Sequence, residues 1–150
     1  MKELNKKEIK ELLKKLEKEY GIKDLPKYFL SEFSWFINKE GKVFLVEKNI
    51  KNIINSLKNV NKFGLYVFKI EKDGIRFSIE GSQIFGPYVK NKDKIIEVDK
   101  EKLFRDEELE IKENKTGYLI AKDKKDFLGS AKIKNNKIQS YIPKDRKIYS

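Results

Sequence analysis

The fold is decided by the stretch Gly64–Pro87, GLYVFKIEKDGIRFSIEGSQIFGP. Two runs rich in β-branched and aromatic residues flank a Lys-Asp-Gly turn, and Asp-Gly between such runs is a strong hairpin signal. The segment Glu80–Tyr88 is ambiguous and is compatible with a short helix that ends at Gly86-Pro87. The stretch therefore predicts a β-hairpin, followed by a domain boundary near residues 86–92.

An amphipathic helix is predicted at the start of the chain. Apolar residues recur at helical spacing between Leu4 and Tyr20, with Lys and Glu between them. Asn5 and Glu8 stand at the two positions of a capping box, and Gly21 is a typical helix stop. The mixed charge of the polar face favours packing on a sheet over binding to a membrane surface.

A second hairpin is predicted between this helix and Gly64. Tyr28–Asn38 and Val43–Glu47 are rich in strand-forming residues and flank the Lys39–Lys42 turn. Helical spacing then returns from Ile50 to Leu57. The order helix, hairpin, helix, hairpin predicts an α+β domain over residues 1–88 with a mainly antiparallel sheet.

The aromatic residues of this half are predicted to form its core. Trp35, Phe33 and Phe36 are too close in sequence to share one strand face, so a core is favoured over an aromatic platform for RNA. The same interpretation is given to Phe63, Tyr66 and Phe68. The residues predicted to be buried are Leu12, Leu16, Trp35, Phe44, Ile53 and Phe77.

The remaining residues, 89–150, predict a second, β-rich unit. The strand candidates are Ile95–Val98, Gly117–Lys122, Phe127–Lys134 and Lys137–Ile142, and Lys100–Leu109 is compatible with one or two helical turns. Asn135-Asn136 suits a tight turn, because Asn tolerates positive φ. Several short strands with little helix predict a small β-barrel.

Charge is distributed unevenly along the chain. The sequence carries 35 Lys or Arg and 24 Asp or Glu, a formal net charge of +11. Phe127–Ser150 holds six cations and one acid, whereas Glu97–Glu113 holds eight acids and four cations. A concentrated basic surface attracts polyanions, most often nucleic acid, and the acidic segment is a candidate contact for a basic protein. A composition rich in Lys and Glu without Cys also fits a thermophile or an AT-rich genome.

The basic segment supplies the candidate RNA-binding residues. A strand would place Lys132 and Lys134 on one face and Ile133 on the other, and the Tyr141 ring is suited to stacking on a base. Gly129 permits close approach of an RNA backbone, or else marks a bend of the strand. The alternative for the cations is a solvated face in a Lys-rich protein. The candidate set is Gly129, Lys132, Lys134, Lys137, Tyr141, Lys144, Arg146 and Lys147.

Residue types that support catalysis are few. The sequence has no His and no Cys, which removes the commonest general base near neutral pH, the thiol nucleophile and most zinc ligation. The adjacent acids Asp106, Glu107 and Glu108 have no evident convergent partner for magnesium. Gly81 lacks the spacing of a phosphate-binding loop, so a turn or helix cap is favoured there. We expect no catalysis, no cofactor and no metal site.

The sequence shows no targeting or membrane segment. No apolar run approaches the roughly 20 residues of a membrane span. The N-terminus is charged and lacks the apolar core of a signal peptide. These features predict a cytoplasmic protein without a membrane partner.

The C-terminal segment resembles a known RNA-binding module. GYLIAK, then Phe-Leu-Gly-x-x-Lys, then x-Tyr-Ile-Pro-Lys-x-Arg is similar to the C-terminal PUA-like module of RsmF-type RNA cytosine-C5 methyltransferases of the Sun/Fmu family. Gly129, Lys132, Pro143 and Lys144 occupy matching positions, whereas Ala131 replaces a frequent Gly and Arg146 is displaced by one place. The resemblance implies a PUA-like barrel that contacts RNA.

The first half is similar to the pre-PUA domain of Nip-type ribosome-biogenesis factors. The resemblance rests on Ser34–Glu47, on the helical Asn49–Asn59 segment, and on FGLYVFKIEKDGIRFSIEGSQIFGPYV at Phe63–Val89. Together the two resemblances imply a freestanding pre-PUA and PUA protein of archaeal type. No methyltransferase domain fits, because there is no Gly-rich S-adenosylmethionine loop and no Cys.

Three functions remain open on these grounds. The favoured one is RNA binding in ribosome biogenesis or in rRNA or tRNA modification, either by positioning a structured RNA or by holding a separate RNA methyltransferase or assembly factor on it. The second is a protein–protein adaptor whose Lys excess is background composition. The third is an RNA-modifying enzyme that uses carboxylates alone.

Overall fold

The computed structural model describes residues 1–51 and 64–148. The predicted helix from Ile50 to Leu57 lies mostly outside these residues, as do Ile53 and Phe63. The described helices are α1 Lys6–Tyr20, α2 Tyr28–Ser31, α3 Lys48–Lys51, α4 Ile79–Phe85 and α5 Lys100–Phe104. Short 3₁₀ turns occur at Gly86–Tyr88, Lys92–Lys94 and Lys144–Arg146.

The described strands fall into two sheets. The first sheet has the order β1 Lys2–Glu3, β2 Phe33–Ile37, β3 Lys42–Glu47, β4 Leu65–Glu71 and β5 Gly74–Phe77, and all its pairs are antiparallel. The second has the order β6 Ile95–Glu97, β7 Leu119–Asp123, β8 Asp126–Lys134 and β9 Lys137–Ser140. There β6 and β7 are parallel and the other pairs are antiparallel.

Helix α1 begins and ends as the sequence predicts. The Asn5 side chain accepts the Glu8 N–H at 2.8 Å, and the Glu8 carboxylate accepts the Asn5 N–H at 3.0 Å. These reciprocal bonds satisfy N–H groups that a helix start leaves without partners. Gly21 ends the helix with φ 67°, a conformation that glycine adopts at little cost.

The first predicted hairpin is confirmed only in part. Residues Tyr28–Ser31, expected to extend a strand, form one helical turn instead, and the strand begins at Phe33. The turn buries Phe29 to 2% exposure, and the Phe29 carbonyl accepts the Trp35 indole N–H at 2.9 Å. Packing and this hydrogen bond therefore outweigh the strand preference of the aromatic residues.

The predicted Asp-Gly and Asn-Asn turns are confirmed. Gly74, after Asp73, opens β5 and pairs with Glu71 across the second hairpin. Asn135 and Asn136 have φ of 52° and 63° between β8 and β9. Two successive positive φ values match the twist of the flanking strands, which is why this dipeptide suits the position.

The residues predicted to be buried, Ile53 apart, are described by the structure and are buried. They lie on the inner face of α1, on β2 and β3, and on β5. None exceeds 8% exposure: Leu12, Leu16, Trp35, Phe44 and Phe77. The α+β class with a mainly antiparallel sheet is also confirmed, whereas closure of the second sheet into a barrel stays a prediction.

The two sheets are joined by buried hydrogen bonds. Ser82 in α4 accepts the Gly129 N–H at 2.8 Å, and Ser130 in β8 accepts the Phe77 N–H at 2.8 Å. The Tyr20 hydroxyl donates to the Ile75 carbonyl of β5 at 2.5 Å and also lies 3.3 Å from the Tyr118 carbonyl, which directly precedes β7 of the second sheet. Burial raises the pKa of Tyr20 well above its usual range, so the hydroxyl keeps its proton and remains a donor.

Apolar contacts cross between the sheets as well. Ile79 of α4 belongs to the core of the second sheet, while Ile120 and Phe127 pack with the first core. Gly81 lies in the first turn of α4, where its N–H donates to the N-cap Ser78 hydroxyl at 2.9 Å, in keeping with the expected helix cap. A side chain is excluded there, because a Cβ would meet the Val67 carbonyl oxygen at 1.6 Å. The division at residues 88 and 89 stays a prediction.

Candidate nucleic-acid interface

Three cations and three aromatic rings in mutual contact cross from the first sheet to the second. We call this set the cation–aromatic row; in order it comprises Lys42, Tyr66, Arg76, Tyr141, Tyr118 and Lys132. Tyr118 is buried, with 4% exposure, and the other five side chains are partly exposed. Lys42 Nζ lies 5.3 Å from the Tyr66 ring centroid, and the Arg76 guanidinium carbon lies 4.9 Å from that of Tyr141. Lys132 Nζ lies 4.2 Å from the Tyr118 centroid. These separations fall within the range of cation–π attraction.

Strand register places the first half of the row. Lys42 is paired with Lys69 across β3 and β4, and Lys69 is paired with Arg76 across β4 and β5. Residues paired in this way share one sheet face. Lys42 and Arg76 therefore emerge on the same side, opposite the buried Phe77.

The second half of the row is held by main-chain contacts of its aromatic residues. The Tyr141 N–H donates to the Ser130 carbonyl at 3.0 Å, and the Tyr118 carbonyl lies 3.3 Å from the Tyr20 hydroxyl. The Tyr118 and Tyr141 rings meet edge to face with centroids 5.5 Å apart. The Tyr141 main chain is therefore held by β8, and the Tyr118 main chain is held beside Tyr20 of α1.

Lys132 ends the row in an ion pair with the first sheet's hairpin turn. Its Nζ lies 2.5 Å from Asp73 Oδ2. The hydrogen bond raises the pKa of Lys132 and lowers the pKa of Asp73, because each charge stabilises the other. Burial raises the pKa of Tyr118 despite the nearby Lys132 charge, so this ring stays neutral at physiological pH.

A cleft of about 320 Å³ lies beside the row. Tyr66 and Tyr141 line it together with the Glu80–Arg146 ion pair, in which Arg146 Nη1 donates to the two carboxylate oxygens at 2.6 and 3.1 Å. Burial raises the pKa of Tyr66, and the positive charge of Arg76 opposes that shift. The complete lining adds Lys42, Leu65, Arg76, Phe77, Ser78, Ile79, Gly129 and Pro143.

The structure brings together four of the eight residues predicted from the sequence. Lys132 and Tyr141 lie in the row, and Gly129 and Arg146 line the cleft. Gly129 is buried with φ 88°, and its N–H is committed to Ser82. A Cβ at Gly129 would meet Ile79 Cγ1 at 3.3 Å, so the strand bend and close packing account for this glycine.

The other four predicted residues lie outside the row and the cleft. Lys134 and Lys137 are opposite each other in the register of β8 and β9, next to the turn between these strands. Lys144 is exposed in the last 3₁₀ turn. Lys137 Nζ lies 3.1 Å from Glu108, and Lys147 Nζ lies 2.8 Å from Asp106. Within the described ranges, Lys134 and Lys144 have no carboxylate partner.

The acidic segment thus neutralises part of the basic one. Asp106 and Glu108 bind two cations of the C-terminal segment, and Asp73 and Glu80 bind two more. Part of the uneven charge along the sequence is therefore neutralised by ion pairs within the protein. Residues 1–51 and 64–148 contain no group of three or more carboxylates placed to hold a metal ion.

Four members of the row were not in the predicted set: Lys42, Tyr66, Arg76 and Tyr118. Tyr66 was predicted to be core, but it is only half-buried, because the strand shifts register beside it at Val43 and Phe44. The sequence could have indicated that Arg76 faces outward, because it lies between the apolar residues Ile75 and Phe77 in a short strand, and both are buried. No local pattern indicated Tyr118, because its partners Lys132 and Tyr141 lie on later segments of the chain.

Residues 1–80 match the model of the NIP7/UPF0113 pre-PUA domain. The chain belongs to this family. The matched range contains the first sheet, with Lys42, Tyr66 and Arg76, so half of the row lies in the pre-PUA domain and half lies beyond it. No curated protein matches the chain. The described helices of this pre-PUA protein include none that is long and apolar enough to cross a membrane.

Proposed function

We propose that this protein binds single-stranded or locally unpaired RNA during ribosome biogenesis and has no catalytic activity of its own. Membership of the NIP7/UPF0113 pre-PUA family supports the ribosome-assembly setting. The observation that carries RNA binding is the cation–aromatic row. Proteins that hold unpaired RNA combine cations for the phosphates with exposed rings on which bases stack. In the row, the partly exposed Tyr66 and Tyr141 are the rings available for stacking, whereas Tyr118 is buried.

The row suits RNA better than it suits a generic polyanion. A generic polyanion is attracted by cations alone. In the row, each of the cations Lys42, Arg76 and Lys132 lies within about 5 Å of an aromatic ring. The row also belongs to both sheets, which buried hydrogen bonds hold together. A bound strand would therefore contact both halves of the protein at once.

The second sheet is proposed to be part of a PUA-like barrel, spanning residues 89–150 after a pre-PUA domain of residues 1–88. Support comes from the resemblance of the segment around Gly129 and Pro143 to the RsmF-type module, and from the order of the strands β6 to β9. A thermophilic source accords with the Lys-rich composition. An archaeal source and a cytoplasmic location are part of the same proposal. The RNA would be an rRNA or tRNA, and the partners would be ribosome-assembly factors or an RNA methyltransferase.

One observation favours a different function, that of a protein–protein adaptor. Four cations of the C-terminal segment already have carboxylate partners, which leaves less free positive charge than the sequence suggests. An adaptor would bind RNA weakly, with little selectivity over other polyanions.

Salt dependence of binding to a labelled unpaired RNA separates the two functions. We expect the logarithm of the association constant to fall linearly with the logarithm of salt concentration, with a slope of about −0.7 for each phosphate neutralised on a single strand. We also expect RNA to bind more tightly than heparin of equal charge, because heparin has no bases to stack. Equal binding of the two polyanions would favour the adaptor.

A further inference from the structure

The cleft beside the row has a lining that suits a flat aromatic ring. Tyr66 and Tyr141 contribute their rings, Pro143 and Leu65 contribute apolar surface, and Leu65 is 40% exposed. A volume of about 320 Å³ is at the lower end of the range for small-molecule sites. Gly129 also lines the cleft and adds no side chain. An unstacked nucleobase fits this lining better than a phosphate does.

The Glu80–Arg146 pair gives the same cleft a polar edge. The two side chains are 38% and 44% exposed, so the pair is accessible from solvent. The carboxylate offers hydrogen-bond acceptors next to the guanidinium donors, and the Watson–Crick edge of each base likewise sets donors next to acceptors. Glu80 would repel a phosphate, so this edge of the cleft suits a base better than it suits the RNA backbone.

We propose that the cleft takes one unstacked nucleobase of a bound RNA, and that Glu80 and Arg146 select that base by its Watson–Crick edge. This inference rests on the proposed function and adds a base-selective subsite to it. Tyr66 and Tyr141 supply stacking that all bases share. Glu80 supplies selectivity, because the N–H donors lie at different positions on the four bases.

The test uses four labelled RNA oligomers, each of a single base type, and then one more pair of RNAs. Both RNAs of this pair consist of the least preferred base except at one position. At that position one RNA carries the preferred base and the other carries an abasic site. We expect the intact protein to rank the four bases, with at least about fivefold between the extremes, and to bind the abasic RNA more weakly.

Glu80→Gln distinguishes a role of Glu80 in base recognition from a purely electrostatic role, because the two roles predict opposite changes in RNA affinity. If Glu80 contributes only charge, its neutralisation should raise affinity for all RNAs equally, as is also expected for Glu11→Gln on the exposed face of α1. If Glu80 reads a base, affinity for the preferred base falls by about tenfold and the ranking collapses. Arg146→Lys keeps the charge but loses the planar fork, so it too is expected to weaken the ranking.

Each outcome decides between the proposals. Equal binding of the four oligomers and of the abasic RNA, with Glu80→Gln behaving like Glu11→Gln, would overturn the subsite and leave RNA binding standing. Failure of the intact protein to bind any RNA would overturn both. Loss of ranking in Glu80→Gln and Arg146→Lys, with an unchanged salt slope, supports the subsite.

Discussion

The guanidinium of Arg76 lies 4.9 Å from the ring centroid of Tyr141, although 65 positions separate these residues in the sequence. Arg76 belongs to β5 in the first sheet, and Tyr141 follows β9 in the second. The contact makes one surface out of two halves of the chain. It is the centre of the cation–aromatic row on which the proposed function rests.

Stacking on Tyr141 is tested by comparing two substitutions. Tyr141→Ala removes the ring and is expected to weaken binding of unpaired RNA by about 1–3 kcal/mol, whereas Tyr141→Phe keeps the ring and should bind nearly as the parent does. Tyr28→Ala is the matched control, because Tyr28 is 44% exposed on α2 and lies outside the row. Fluorescence anisotropy with a labelled oligomer measures all three. Equal losses for the Ala and Phe variants would indicate that the hydroxyl, and not stacking, matters.

The Asp73–Lys132 pair predicts a pH dependence of stability. The pKa of Asp73 is lowered in the folded chain, so the pair stabilises the fold above the ordinary value of 3.8 and this contribution is lost as pH falls through the lower folded value. The pKa of Lys132 is raised, so its contribution is present below 10.5 and is lost as pH rises through the higher folded value.

Asp73→Asn should therefore weaken the dependence of the free energy of unfolding on pH at both ends of the pH range. Urea unfolding midpoints measured from acid to alkaline pH provide the test. Asp145→Asn, which removes an exposed carboxylate in the last 3₁₀ turn, is the control. If the two variants follow the same pH profile, the Asp73–Lys132 pair does not contribute to stability.

Trp35 is predicted to be a major contributor to the first core. It is fully buried, and its indole N–H donates to the Phe29 carbonyl at 2.9 Å. Trp35→Ala should cost about 3–5 kcal/mol in the free energy of unfolding. Leu30→Ala should change it by only about 0.5 kcal/mol, because Leu30 is 46% exposed. Denaturant unfolding of both variants measures the difference, and similar midpoints would refute this account of the core.

Local features of the fold could be predicted from the sequence, and the surface that joins the halves could not. The capping box at Asn5, the stop at Gly21 and the Asn135-Asn136 turn depend on neighbours a few residues apart, so the motifs predict them directly. The row depends on which strand lies beside which. Arg76 meets Tyr141 only when the two sheets pack together, and no local pattern encodes that packing. Tyr118 meets Lys132 and Tyr141 within the second half, through the pairing of its strands.

The candidate site shows the same limit. Sequence alone indicates that Lys132 and Tyr141 belong to a basic segment, and both lie in the row. It does not indicate that Arg146 binds Glu80 or that Lys147 binds Asp106, because these ion pairs join residues 66 and 41 positions apart. Counting cations along the chain therefore overstates the positive charge that is free to meet RNA.

The proposed absence of catalysis predicts that this chain does not bind a methyl donor. The sequence has no His, no Cys and no recognisable loop for S-adenosylmethionine. Isothermal titration calorimetry with S-adenosylmethionine should give no heat of binding. Stoichiometric binding at micromolar affinity would refute the non-enzymatic function. An increase in the RNA affinity of a separate methyltransferase on addition of this protein would support an accessory role.

The central claim is that one RNA strand contacts both halves of the protein along the row. The most direct measurement is the salt slope of RNA binding for Lys42→Ala with Arg76→Ala in the first half, and for Lys132→Ala in the second. Each variant should flatten the slope by about 0.7 for every phosphate that it no longer neutralises, and both should bind more weakly than the parent. A first-half variant that keeps the parent's affinity and slope, while Lys132→Ala binds more weakly with a flatter slope, would show that RNA binds to the second half alone.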